Sequence, residues 1–573
     1  MEDVNPSTAE RIATLRREME GAEKELYIAA GVVVAALVLA VVLGWWGVAA
    51  LPVIVFAGRR FSQKRKVANK LARLERWYLA TGERAMGIEF EEEGHVYAAD
   101  LHLFGEGSMF EALCSARTGI GRRGLAEYLL RPTDYEECLQ RQEAVLELRD
   151  LIALRERIVC LGSFGSFESR WETFEEWLAM PVIEFPWWLR WVAMFTVGLL
   201  LVAVGLGVFQ VFAWPVIGQW VVPILALQAT IGMQFRERLE KVQSWLGLVS
   251  IEAEVLQEGL ALLAGERFQS AKLQELCKQV QRGPGAMRGL SRWLEVLSER
   301  NKDWFYLPSL LLMLGSQSVM HIEMWRREHG EAMKSWLAAW GEFEALHSIA
   351  RYAYENPQDV MPELVRDEVC IEGRGMGHPL IALEDCVRSD VRLDRERRFY
   401  VISGSNMAGK STFLRTIGLN ALLAYAGAPV RAESLRISVM SVCASLSVVD
   451  SLLHGKSKFM AEMERLKQTI DKGRKGESVL FLIDEIMSGT NSRDRRVAAE
   501  AVVRGLLQHG AIGALSTHDL ALTEIASEEL RGVNVHMCSK GEGDPLDFDY
   551  KLKEGVNTEV NALAIARLAG IVV

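Results

Sequence analysis

The sequence predicts an α/β C-terminal domain built on a mostly parallel sheet, preceded by an all-α part that carries two long apolar segments. Three observations predict this. From Val369 onward, short β-branched runs alternate with helical stretches, as in "RRFYVISG", "ESVLFLIDE" and "GAIGALSTHD". That alternation marks parallel strands covered by helices on both faces. Before residue 365, apolar residues recur at helical spacing among many Glu, Arg and Lys. Finally, Leu26–Gly58 and Trp191–Phe235 contain no charged residue.

Each element follows in order. Residues 1–25 are charged and periodic and predict an exposed helix. The apolar run 26–58 exceeds the roughly 20 residues of a single membrane-crossing helix. "GWWG" at 44–47 and Pro52 predict a break, hence a tight hairpin. The basic run "RRFSQKRKVANKLARLER", Arg59–Arg76, follows at once and places that side in the cytoplasm. Residues 59–185 read as a basic linker and the start of a helical core. Residues 186–235 read as a second hairpin, turning near "AWPVIG", with Trp187, Trp188, Trp191, Trp214 and Trp220 near its ends. Residues 236–365 read as a helical core and lever, and 366–573 as the α/β domain.

Composition narrows the chemistry. At 573 residues the chain exceeds one ordinary core. Its net charge of −10 argues against an overall electrostatic nucleic-acid binder, so any DNA contact is local. The eight cysteines form no CxxC pair and read as reduced thiols. No ligand run of Asp, Glu or His appears either, so no structural metal is expected.

One motif carries most of the function. Gly404-x-x-x-x-Gly409-Lys410-Ser411 has P-loop spacing, with the strand "FYVI" before it and the helix "STFLRTIGLNALLAY" after it. Glycines let backbone N–H groups approach phosphates, and the helix N-terminus favours negative charge. Lys410 would reach the β- and γ-phosphates, and Ser411 would ligate Mg²⁺. The candidate ATP-binding residues are therefore Gly404, Ser405, Asn406, Met407, Ala408, Gly409, Lys410, Ser411 and Thr412. "VLFLIDE" ends a buried strand in two carboxylates. Asp484 would hold Mg²⁺, and Glu485 would orient or deprotonate the attacking water. "ALSTHD" ends another strand and places His518 to sense the γ-phosphate.

These segments resemble ABC-type ATPases, and among them the MutS mismatch-repair family. "GSNMAGKSTFLRTIGLNALLAYAGAPVRA" is similar to that family's Walker A loop, with Ser405 and Ala408 as departures. "DSLLHGKSKFMAEMERL" resembles the signature segment, which implies that Ser457 reaches the γ-phosphate held by a partner subunit. "SGTNSRD", Ser488–Asp494, resembles the loop that crosses the dimer interface, although the family usually has Arg at the place of Ser488. "SARTGIGRRGLAEYLLRPTDYEECLQRQEAVLEL" looks like the start of the MutS core, "NALAIARLAGI" resembles the family's C-terminal helix, and "HVYAADLHLFGEGSMF" resembles a membrane-spanning branch of MutS-related proteins. No mismatch-reading segment precedes the core, so the resemblance is to a membrane-spanning MutS-related branch.

The resemblance implies a homodimeric ATP hydrolase using ATP and Mg²⁺ at shared sites, coupled to mismatched or branched DNA. A switch acting on a membrane or protein partner is the alternative. The apolar pairs imply a multi-pass protein of the inner membrane, with four spans and a cytoplasmic ATPase domain. A transporter would need more spans and a polar path through them, which Gln210, Gln219 and Gln228 do not supply.

Overall fold

The computed structural model describes residues 6–42, 51–79, 84–162, 171–300, 308–405, 408–446, 458–487, 492–538 and 548–557. Helices α1 (Pro6–Val42) and α2 (Leu51–Tyr78) form an antiparallel pair. α1 runs unbroken through the boundary expected at residue 25, because no Pro or turn chemistry interrupts it. The pair is registered by ion pairs, Arg16 with Glu75 at 2.7 Å and Glu25 with Lys64. Its charged end is fastened to the core. Arg11 grips Glu156 through Nε and Nη2, both at 2.8 Å, and the Tyr78 hydroxyl donates to the same carboxylate at 2.7 Å.

The helical core comprises α3 (Met109–Leu113), α4 (Gly119–Leu130), α5 (Tyr135–Asp150), α6 (Ile152–Val159), α7 (Trp171–Ala179), α10 (Arg236–Gly265), α11 (Ala271–Val280), α12 (Gly283–Arg300) and α13 (Leu314–Glu355). Ser108, Thr118 and Asp134 each cap a helix by accepting a backbone N–H, so α3, α4 and α5 start where the sequence supplies a short polar side chain. α13 is the spine, and α4 crosses it closely. A Cβ at Gly124 would lie 2.7 Å from the Gly341 carbonyl oxygen, so the two backbones touch. At this crossing Glu344 of α13 is fully buried and accepts the Arg117 N–H at 3.0 Å and the Thr118 N–H at 3.2 Å. Burial pushes its pKa up to about 7, against those hydrogen bonds.

Between α7 and α10 stand α8 (Trp187–Val208) and α9 (Trp214–Gln234), a hairpin of two apolar helices. Only 28% and 11% of their most apolar stretches are buried, unlike the core helices of a soluble protein. Their bases pack on Met313 and Met320.

The C-terminal domain has two sheets. A mixed sheet has the order β1 (Glu363–Val365), β5 (Ser434–Ser438), β2 (Ile371–Met376), β3 (Ser389–Leu393). The main sheet has the order β10 (Lys553–Glu554), β9 (Gly532–His536), β4 (Phe399–Ser403), β8 (Ile512–Thr517), β7 (Val479–Ile483), β6 (Ser441–Ser445). All its pairings are parallel except β10 with β9. β4, β7 and β8 are buried along their whole length, which explains their unbroken apolar runs. Helices α14 (Lys410–Tyr425), α15 (Lys458–Arg474) and α16 (Ser492–Gln508) cover the sheet. One apolar cluster runs from α3–α5 and α13 through α14 to β4, β7 and β8, joining the helical core to this sheet.

Candidate nucleotide site

The site forms where β4, β7 and β8 end side by side. β8 lies between the other two, so its terminal residues face both the loop after β4 and the carboxylates after β7. The β4 loop requires glycine for contact as well as conformation. Gly404 has φ +152, and a Cβ there would sit 2.6 Å from the Met537 carbonyl oxygen. Gly409 has φ +96 and caps α14, and a Cβ would come 3.0 Å from the Tyr550 ring.

Lys410, the first residue of α14, is buried and donates to the carbonyls of Gly404 and Ser405, each at 2.9 Å. Burial lowers its pKa, opposed by Asp484 and Glu485. The Ser411 hydroxyl donates to Asp484 Oδ2, and the Ser516 hydroxyl to Asp484 Oδ1. Asp484 thus sits between the P-loop helix and the end of β8. Glu485 follows in the left-handed region, φ +49, and Met487 does the same at +55. For non-glycine residues this costs on the order of 1–3 kcal/mol each. The strain aims Glu485 into the site, where its Oε1 lies 3.2 Å from His518 Nδ1. Its N–H donates to Ser516 Oγ at 3.2 Å. Behind it, the Met487 N–H donates to Glu462 of α15 at 2.6 Å.

A cavity of about 550 Å³ opens on these groups, lined by Gly409, Lys410, Ser411, Thr412, Asp484 and Glu485. A nucleotide with Mg²⁺ fits the residues present. Among the described residues the Ser405 hydroxyl is buried without a partner at the loop, and Gly409 leaves room that a Cβ would fill. Ser411 and Asp484 are hard oxygen donors suited to Mg²⁺. Lys410 rests on loop carbonyls that a phosphate can replace. The structure therefore brings together Gly404, Ser405, Ala408, Gly409, Lys410, Ser411, Thr412, Asp484, Glu485 and His518. Asn406, Met407, Ser457 and residues 488–491 lie outside the described residues, as does the segment 561–571.

Sequence reasoning missed much of the cavity wall. His378, Ile381 and Val387 line it from the connection between β2 and β3, Met537 from just after β9, and Tyr550 from just before β10. Their one sequence signal is "GHPLI", whose His378 is pushed down to about 4 by burial and the nearby Arg415 and Arg431. Another cavity, about 750 Å³, lies among α4, α5, α7 and α13. Its Arg123 and Arg141 are paired with Glu175 and Glu137, and it has no phosphate loop.

Residues 400–572 match the model of MutS domain V. The C-terminal region of this chain is similar to MutS domain V. Over 223 residues the chain is 32% identical to the DNA mismatch repair protein MutS of Thermotoga petrophila. That match covers 38% of this chain and 27% of the relative, so the chain spans about a quarter of the curated relative it matches. The MutS reading of the P-loop and the two carboxylates thus rests on the α/β domain.

Proposed function

We propose that this protein is a membrane-anchored MutS-type ATPase that works as a homodimer. The observation that carries the reading is one cavity holding Lys410, Ser411, Asp484 and Glu485, with His518 on Glu485. Lys410 and the loop N–H groups bind the phosphates. Ser411 and Asp484 hold Mg²⁺, which when bound neutralises charge developing on the phosphates. Glu485 orients the attacking water and takes its proton, and His518 fixes the Glu485 carboxylate. Ser457 and the 488–494 loop complete the site of the partner subunit. Closure and reopening of the dimer move the helical core, and that movement governs binding of mismatched or branched DNA.

The exposed apolar hairpin α8–α9 supports an inner-membrane location with the ATPase domain in the cytoplasm. At 22 and 21 residues both helices match a bilayer. The α1–α2 hairpin is the shorter one. Its register sets Arg60 level with Ala30. Above that level α1 rises about 18 Å to Val42 and α2 about 14 Å, against a hydrocarbon core of about 30 Å. The described part of the pair is shorter than that core, and residues 43–50 between the two helices lie outside the described residues; we propose that the pair enters the bilayer without crossing it, which leaves two crossing helices. Both termini remain cytoplasmic.

The net charge of −10 favours a second reading, a mechanical switch on a membrane or protein partner. ATP turnover of the detergent-purified protein, with homoduplex, mismatched and branched DNA at low salt, separates the two. Stimulation by one of these DNAs supports the first reading. Absence of DNA binding at low salt, where phosphate contacts are strongest, removes it.

A further inference from the structure

The turn after β7 carries Glu485, and the turn after β8 carries His518, which stands 3.2 Å from it. The first of these turns is strained, with Glu485 at φ +49 and Met487 at φ +55. A residue other than glycine holds that conformation only where its surroundings fix it. Met487 is fixed from several directions. Its side chain is buried in the apolar cluster of β4, β7 and α16. Its N–H donates at 2.6 Å to Glu462 of α15, a carboxylate only 3% exposed. Its carbonyl accepts from Arg495 Nε at 3.1 Å.

Arg495 reaches beyond this carbonyl. It lies in the first turn of α16, and its Nη1 faces Asp519 Oδ2 at 3.8 Å. Asp519 directly follows His518, and its Oδ1 accepts the Ala521 N–H at 3.0 Å. One guanidinium therefore spans both turns, just past Glu485 on one side and just past His518 on the other. The contact between Glu485 and His518 closes the same circuit. Glu462 in its turn sits on an anchored helix. Arg465, one turn further along α15, is paired with Asp100, which lies before α3 and is 1% exposed. Asp100 Oδ1 also accepts the Leu446 N–H, and its backbone carbonyl accepts from Arg415 Nε of the P-loop helix, each at 2.9 Å.

We propose that Arg495 is a positioning residue for hydrolysis, locking the turn after β7 to the turn after β8 so that Glu485 stays aimed into the nucleotide site. The role of Glu485 rests on the ATPase reading above, whereas the lock rests on the contacts of Arg495 alone. Arg495 does not line the nucleotide cavity, so its loss acts on turnover and not on binding. In the full-length protein, Arg495→Met removes the donors and keeps an apolar stem. It should lower kcat by about tenfold or more while fluorescent-ATP affinity changes less than about threefold. Without nucleotide, hydrogen exchange at the Met487 amide should rise by about tenfold or more, a readout independent of turnover. Arg495→Lys keeps a cation for the carbonyl and Asp519 and should retain about a third of wild-type turnover or more.

A second variant approaches the lock from its other end. Asp519→Asn retains the oxygen that accepts the Ala521 N–H and removes the charge facing Arg495. It should lower kcat by about threefold or more, and adding it to Arg495→Met should cost nothing further, because both break one link. Wild-type turnover and Met487 exchange in Arg495→Met overturn the proposal and leave the ATPase reading standing. Should Arg495→Met fail to bind nucleotide, the same result in Asp519→Asn overturns it. A wild-type protein that does not hydrolyse ATP overturns both.

Discussion

Replacing Glu485 by Gln removes one charge and almost no volume. Glu485 reaches the site through a strained backbone, its carboxylate stands 3.2 Å from His518, and Asp484 beside it is already engaged by Ser411 and Ser516. In the proposed mechanism Glu485 is the carboxylate of the pair left to take a proton from water. General-base catalysis is worth about 10²–10⁴ in rate. The corresponding barrier is about 2.7–5.4 kcal/mol. The amide cannot accept that proton, yet Lys410, Ser411 and the loop glycines are untouched. Phosphate release by the purified variant should therefore fall by about 10²–10⁴, with ATP affinity in a fluorescent-nucleotide titration changed less than about threefold. His518→Ala should lower turnover by less, because it removes only the partner of the carboxylate. A Glu485→Gln protein that releases phosphate within about threefold of wild type would refute the assignment.

Lys410→Met deletes the buried ammonium that rests on the loop carbonyls, and nucleotide affinity should fall by about 2 kcal/mol or more, roughly thirtyfold; retention of wild-type affinity would remove Lys410 from phosphate binding. Glu344 tests the helical core through pH. Its pKa is raised from 4.5 to about 7 on burial, so its contribution is fully present below 4.5 and is lost as pH rises through 7. Between those limits wild type should lose about 3 kcal/mol relative to Glu344→Gln. Denaturant unfolding at pH 5 and pH 8 measures this, and parallel changes in both proteins would refute the buried carboxylate. Ala213→Cys, at the α8–α9 turn, should react with an impermeant maleimide from the outer face of right-side-out vesicles. A cysteine at Trp46 should not, and labelling there from outside would make α1–α2 a crossing pair.

The legible and illegible parts of this fold divide by the range of the contacts that define them. The P-loop, the Asp484–Glu485 pair and His518 are legible because each is a few consecutive residues at a strand end, and the sheet order then brings the ends together. The α8–α9 pair is legible because a long uncharged run marks helices whose surface is apolar all round. The continuity of α1 through residue 25 is not legible. A helix can pass from a charged to an apolar surface without changing its backbone, so composition marks a boundary where the chain has none.

The cavity wall illustrates the same limit more sharply. Met537 and Tyr550 lie well over a hundred residues from the P-loop, and their types announce nothing about nucleotides. Met537 matters through its carbonyl oxygen, which sits where a side chain at Gly404 would be. That contact cannot be read from residue 537, because every residue has a carbonyl. It can be read from residue 404, where only glycine leaves the space. Asp100 is the equivalent case for contact between domains rather than for binding. Its sequence neighbours place it in the helical core, and its hydrogen bonds place it at the stem of the signature segment. A residue whose sequence position and bonding partners belong to different domains ties the two together, and only its hydrogen bonds show the tie.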